Sequence, residues 1–302
     1  VPSTIIAHER VDGVLRAFLR LGDRAAQRAA DWHNETTADS FDRVVTTTLF
    51  AAQEFDRIGI PTDHVPLGVD LEQFRPAHDP ETDSRGGSDA RPHRDGAPLL
   101  VLCSRLSREK RPDLAVEALR VLHLGGLPAR LVIAGSGPLA QSLRRKATGL
   151  PIEMVGHLAD RAAVASLLGA ADVVLAPGPV ETFGLAALEA LACGTPIVAA
   201  STSAVSELVE GDAGRSATPE PWSLAAAVWA LLALPEPHRR QAARARAECF
   251  PWSRTTDTML SLHGITTPET SRSGPNAQDQ RGGLISRPTA RGVKDGQEVK
   301  SE

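Results

Sequence analysis

The chain has 302 residues, 42% hydrophobic and 23% charged, enough for two domains with a core in each. Its net charge of −4 offers no overall attraction to nucleic acid, and no stretch reaches the ~18 apolar residues of a membrane-spanning helix. The cysteines Cys103, Cys193 and Cys249 form no C-x-x-C pair, which removes zinc and dithiol-redox readings and fits a reducing cytoplasm.

The opening "VPSTIIAHER" has no methionine and is already a strand, so it reads as the middle of a domain, with residues upstream of Val1 expected to be missing. "VDGVLRAFLRLGDRAAQRAADW" predicts one helix whose apolar face is Val11, Val14, Leu15, Phe18 and Leu19. Beside that face Arg16, Arg20, Arg24 and Arg28 recur every fourth residue. This basic stripe has two readings: peripheral contact with an anionic membrane at its inner, cytoplasmic face, or a solvated face balanced by Asp12 and Asp23. "DRVVTTT" is a second strand, "LFAAQEFDRIG" a helix, and "HVPLGVDLEQFRP" a short strand with a turn. This β-α alternation predicts a parallel sheet with crossover helices.

Residues 77–97 are dominated by Pro, Gly, Asp and Ser and read as a linker. The rhythm then restarts: "PLLVLCSRL", "ARLVIAGSG", "IEMVG", "DVVLAPG" and "TPIVAA" are strands. The stretches between and after them, including "RPDLAVEALRVLHLGG", "PLAQSLRRKATG", "DRAAVASLLGAA", "SAVSELVEG" and "PWSLAAAVWALLAL", are helices. The expected architecture is α/β with two doubly wound parallel-sheet domains, the first truncated. Residues 1–76 form the first domain, 98–249 the second, 250–263 a helix crossing back, and 264–302 a polar tail without periodicity, expected to be disordered.

Ligands bind at the carboxyl ends of such strands, and four candidates fall there. In "SRLSREK", Arg105 and Lys110 can grip two phosphate oxygens from different sides, or form a solvated basic loop. In "AGSGP", Gly135 and Gly137 allow close backbone approach, and "GSGPLA" satisfies the loose dinucleotide pattern G-x-G-x-x-A, which keeps a nicotinamide-dependent oxidoreductase open as an alternative. In "ETFGLAALEALACGTPIV", Gly184 turns the chain into a helix whose first amides, near Phe183, Gly184 and Leu185, suit a phosphate. Glu181 precedes that helix, and Glu189 lies about 12 Å further along its axis, where a carboxylate can hold a ribose diol. The bland reading makes Glu181 a dipole-favoured acid and Glu189 a surface residue. His8, at the end of the first strand, would face Glu181 across a cleft or serve structure alone.

In order and spacing, "VPLGVDLEQFRP", "SRL-x-x-EK", "IAGSGP", "VGHL", "ADVVLAPG" and the E-x7-E of Glu181 and Glu189 resemble the retaining glycosyltransferases of family 4, of GT-B architecture, over residues 1 to about 262. The resemblance implies that Arg105 and Lys110 hold the donor diphosphate and Glu189 the ribose hydroxyls. It further implies that Glu181 and the Phe183-Gly184-Leu185 backbone meet the donor sugar and β-phosphate, and that His8 contacts the sugar from the first domain. "AHERVDGVLRAFLRLGDRAAQRAADW" and "LAPGPVETFGLAALEALACGTP" look closest to actinobacterial GDP-mannose-dependent α-mannosyltransferases making phosphatidylinositol mannosides. By the same resemblance the acceptor is a glycolipid, and no metal is expected, because two cations and a helix tip already serve the diphosphate. A missing opening segment leaves, as the alternative, a nucleotide-sugar-binding remnant without turnover.

Overall fold

Short strands, most of them apolar and most followed by a helix, build two parallel sheets. The structure is a computed structural model and describes residues 3–19, 21–76 and 96–265, which lie in one compact unit. Of the expected linker, residues 77–95 lie outside the described residues, as does the expected tail from residue 266 onward.

The first sheet has the order β1-β2-β3, with β1 Thr4–Ala7, β2 Arg43–Thr46 and β3 Asp63–His64 all parallel. Its crossovers are α1 Val11–Leu19, α2 Asp23–Asp39 and α3 Leu49–Arg57. The single helix expected over residues 11–32 is therefore two. Gly22 is extended, with φ −64 and ψ 154, and starts α2 afresh, in keeping with glycine's weak helix preference. The expected four-arginine stripe is broken with it. Arg16 sits on α1 and turns to Asp12 (3.1 Å) and Asp23 (3.4 Å), Arg24 and Arg28 lie exposed on α2, and Arg20 is outside the described residues. Beneath these helices Glu54, fully buried, accepts hydrogen bonds from the Val11 and Asp12 amides at 2.9 Å each and from Asn34 Nδ2 at 3.2 Å.

The second sheet has the order β6-β5-β4-β7-β8-β9. Its strands are β4 Leu99–Cys103, β5 Arg130–Ala134, β6 Ile152–Gly156, β7 Val173–Ala176, β8 Ile197–Ala200 and β9 Gly214–Ala217, all parallel. The helices are α4 Pro112–Leu124, α5 Ala140–Lys146, α6 Arg161–Ala170, α7 Leu185–Ala192, α8 Pro221–Leu232 and α9 Glu236–Glu248. The period-2 alternation of side chains divides each strand between two cores. Leu99, Val101, Val174 and Ile197 pack on the face carrying α7 and α9, whereas Leu100, Leu102, Val173 and Val198 pack on the face carrying α4 and α8. One sequence expectation fails here and one strand goes unforeseen. "SAVSELVEG" is a 3-10 segment, Ala204–Leu208, rather than an α-helix, and β9, "GRSA", has too little apolar character to be foreseen.

The chain order runs outward from β4 through β5 to β6, then returns to β7 on the other flank of β4. Loops leaving β4 and β7 therefore diverge, and a crevice opens between them. Finally α10, Trp252–Leu262, returns toward the first sheet. Val69 N–H bonds Phe250 O at 2.8 Å, and Thr255 Oγ1 donates to Pro66 O at 2.8 Å. Gly68 is required there, because a β-carbon would lie 2.5 Å from Trp252 Cα.

Candidate active site

The crevice between β4 and β7 holds a hollow of roughly 220 Å³. Arg105, Lys110, Glu181, Gly184 and Leu185 line it together, with Cys103, Ser104 and Val205. One wall is the loop after β4. Leu106 is buried and pins that loop: its amide bonds Ser136 O at 2.9 Å and its carbonyl accepts from Leu139 N at 3.0 Å. Gly135 and Gly137 explain themselves at this seam. A β-carbon on Gly135 would lie 1.9 Å from Ser104 O, and one on Gly137 2.4 Å from Leu106 O. Neither glycine lines the hollow. What comes close to them is the neighbouring loop of their own chain, so the G-x-G-x-x-A pattern has a packing cause.

Further along the same loop Arg111 has φ 45, the one non-glycine among the described residues in the left-handed region. Such a backbone costs about 1–2 kcal/mol; here Arg111 also begins α4 and is held by Asp113 at 3.0 Å. The turn sets the preceding residue, Lys110, against the opposite wall. That wall is the loop after β7, and Gly178 makes its approach possible: a β-carbon there would lie 3.0 Å from Glu109 O and 3.1 Å from Lys110 Cα. Lys110 Nζ reaches Glu181 Oε2 at 2.5 Å, both side chains about four-fifths buried at 21% and 19% exposure. Arg105, across the hollow, is exposed and has no ion-pair partner among the described residues.

The floor is the start of α7. Residues 181–184 are not helical, so Glu189 lies one turn from the tip rather than the two expected. Gly184 holds φ 86 at the cap, and its missing β-carbon accommodates Val205, whose Cγ2 would otherwise be 2.5 Å away. It offers no side-chain cap, and Leu185 and Ala186, the first helical residues, line the hollow. Such a helix start presents amides and a positive dipole end to an anion. Phe183 is buried in the core below, so only its backbone is available to a ligand.

Glu189 does not line the hollow but stands half-buried behind Cys103. Burial pushes its carboxyl pKa up, and Arg161, 3.8 Å away, offsets part of that. Burial, with the Glu189 charge added, raises the Cys103 thiol to about 11 and the Cys193 thiol to about 12, so both are inert thiols. His8 is exposed just past β1 and is not part of the hollow's lining. Its side of the first sheet does approach: a β-carbon on Gly13 of α1 would lie 3.6 Å from Val180 Cγ1, in the loop carrying Glu181.

The sequence reading thus reached Arg105, Lys110, Glu181, Gly184 and Leu185, and the structure gathers all of these. It missed Gly178, Val205 and Arg161. A glycine after a strand end was the available sign for the first; the other two act through packing and pairing that no local pattern announces. Chemically, the hollow joins two cations, an uncapped helix start and a carboxylate already neutralised by one of those cations.

Comparison with known proteins gives this site its context. The family described as Glycosyl transferases group 1 matches residues 88–248. A GDP-mannose-dependent alpha-(1-6)-phosphatidylinositol dimannoside mannosyltransferase of Mycobacterium tuberculosis (strain ATCC 25177 / H37Ra) is 50% identical over 273 residues, 89% of this chain and 69% of that protein. A D-inositol 3-phosphate glycosyltransferase of Saccharomonospora viridis is 32% identical over 283 residues, covering 87% of this chain and 64% of that protein. Among solved structures, Anabaena Alr3699/HepE in complex with UDP and glucose superposes with TM-score 0.66 at 18% identity, over 87% of this chain and 71% of that one. Sucrose-phosphate synthase from Thermosynechococcus elongatus superposes with TM-score 0.69 at 22% identity, over 86% of this chain and 67% of that one. The fold is GT-B.

Proposed function

The chain belongs to the group 1 glycosyl transferases, and from that premise we propose that it moves mannose from GDP-mannose to a hydroxyl of a phosphatidylinositol mannoside, keeping the anomeric configuration. The observation that carries this reading is the convergence of Arg105, Lys110, Glu181 and the α7 start on one hollow at the sheet's switch point. The half-identical mycobacterial relative supplies the donor and acceptor. The first sheet and its helices form the acceptor side, and the six-stranded sheet forms the donor side.

The bond from the sugar's anomeric carbon to the diphosphate breaks with its electron pair on the leaving oxygen, through an oxocarbenium-like transition state, while the acceptor hydroxyl oxygen bonds the same face of that carbon and its proton passes to the departing diphosphate. Arg105, Lys110 and the Leu185 and Ala186 amides stabilise the growing negative charge, in a pocket where preorganised donors are most effective. Lys110 then bridges Glu181 and the diphosphate, so Glu181 meets the sugar with its charge balanced. Glu189 takes the ribose diol and His8 contacts the sugar from the acceptor side. With the diphosphate neutralised in this way the mechanism requires no divalent cation.

The acceptor brings a membrane with it. No helix of the described residues is long and apolar enough to cross one. Arg24, Arg28 and Trp32 follow one another at four-residue spacing on α2, all exposed, with Leu19 and Leu21 exposed nearby. In this reading that row lies on an anionic surface, the indole at the headgroup level. Sedimentation that does not depend on acidic lipid would remove this contact.

Lys110→Ala tests the donor assignment. With GDP-mannose and phosphatidylinositol dimannoside, kcat/KM is expected to fall by the equivalent of about 2–4 kcal/mol, as for the loss of one charge-stabilising donor. Unchanged kinetics would refute it. Calorimetry with GDP, UDP and NAD checks the nucleotide separately, and GDP binding without turnover marks a binding protein.

A further inference from the structure

The 3-10 segment Ala204–Leu208 touches both the hollow and the first sheet's helices. Its Ala204 amide bonds the Glu181 carbonyl at 3.0 Å. Its Val205 forms part of the hollow's wall and fills the space over Gly184. Two residues on, Glu207 reaches out of this layer altogether. Its carboxylate accepts from the Leu49 amide at 3.0 Å and the Phe50 amide at 2.6 Å, the first two amides of α3. Thr48 Oγ1 accepts the third, from Ala51, at 3.0 Å. The segment is gripped from behind as well: Arg246 Nη2 donates to Glu207 O at 2.7 Å and Arg246 Nε to Leu208 O at 3.1 Å, with the guanidinium 4.8 Å from the Phe250 ring centroid.

We infer that Glu207 is a positioning residue that latches α3 to the donor hollow, so that filling the hollow is transmitted to the acceptor-side sheet through Ala204, Val205 and Glu207. A carboxylate bonding two amides at a helix start is charge-assisted and favoured by the helix dipole. The chain between hollow and latch is three residues long and held by hydrogen bonds at both ends, so a shift at Glu181 or Val205 moves the carboxylate against α3. Glu207 touches no reacting atom. The inference rests on the donor reading of the hollow, and the test keeps the two apart.

Hydrogen exchange at the Leu49 and Phe50 amides is the direct readout. In Glu207→Ala these two amides are expected to exchange about tenfold faster or more, the loss of a charge-assisted hydrogen bond each. In the unaltered protein GDP changes their protection, and in the variant it does not. In turnover assays Glu207→Ala lowers kcat about tenfold and leaves the KM for GDP-mannose within about twofold, because the hollow's own residues are untouched; Glu207→Gln, with one carbonyl oxygen left to accept, recovers part. Equal exchange rates in the variant overturn the latch. GDP binding by calorimetry with no change at Leu49 and Phe50 overturns the coupling alone, whereas failure of GDP to bind overturns the coupling together with the donor reading. Should Glu207→Ala not fold, the unaltered protein with and without GDP decides.

Discussion

The starts of α1 and α7 meet the same requirement in opposite ways. Every helix leaves its first amides without partners. At α1 the amides of Val11 and Asp12 both find the carboxylate of Glu54, a side chain wholly removed from water. At α7 Gly184 provides no cap, and the first turn opens on a hollow flanked by Arg105 and Lys110. An acceptor group built into the chain makes the first a structural joint. The lack of one beside two cations makes the second a place for an anion from outside. The layers differ in degree: the six-stranded sheet lies between two large apolar cores, while the three-stranded sheet packs a smaller apolar set that includes Val44, Val45 and Phe55 and adds buried polar pairing around Glu54.

Of the two helix starts, the joint at α1 is the costlier to disrupt. Glu54→Ala leaves the buried Asp12 amide, the part-buried Val11 amide and Asn34 without this partner, and removes the carboxylate that lies 4.0 Å from Arg10 Nε. Removing one partner from a buried polar cluster costs about 3 kcal/mol. Urea unfolding followed by circular dichroism reads this as a lower midpoint. GDP affinity is expected to hold within about twofold at temperatures where the variant is folded, since none of the affected groups lines the hollow. A large loss of GDP affinity would mean that the two helix starts are not independent.

Gly184→Ala attacks the open start. The new methyl would be built on a backbone with φ 86 and would lie 2.5 Å from Val205 Cγ2. Left-handed strain and overlap together cost about 2 kcal/mol, and the methyl displaces Val205 or tilts the first turn. Thermal unfolding and GDP calorimetry are both expected to worsen. The double variant with Val205→Ala recovers the part due to overlap and none of the part due to strain, which separates the two contributions.

Legibility followed locality. β4, β5, β7 and β8 were plain in the sequence because strands buried on both faces are short uninterrupted apolar runs. The crevice followed from them, since strand ends place loops, and Arg105, Lys110 and Glu181 sit in those loops. Gly22 misleads because a single glycine between two amphipathic stretches leaves their helical period almost continuous, although it is the N-cap from which a second helix starts. A glycine pattern such as Gly135 and Gly137 gives no sign of which neighbour comes near, and here it is Ser104 and Leu106 of the chain itself. The reach of Glu207 to α3, across 158 residues of sequence, leaves no trace in either local stretch.

Beside the open start of α7, the charge state of Glu189 sets a weaker, pH-dependent effect. In the proposed reading Glu189 accepts hydrogen bonds from both ribose hydroxyls, which its ionised form does best. Burial raises the Glu189 pKa, so donor affinity should decline on acidification at a pH above the ordinary glutamate range. Arg161 favours the charged form and sits 3.8 Å away, its guanidinium 5.1 Å from the Phe74 ring centroid. Arg161→Ala removes that support, so the acid limb of GDP affinity moves to higher pH. Its side chain is 62% exposed, and water screening keeps the effect to about 0.5 kcal/mol or less. Stability runs the opposite way with pH: a carboxyl whose folded pKa is raised stabilises the protein below its unfolded pKa and loses that contribution as pH climbs through the folded value. Glu189→Gln should therefore flatten both profiles at once. An acid limb that persists unchanged in Glu189→Gln would assign the titration to another group and leave Glu189 without a part in donor binding.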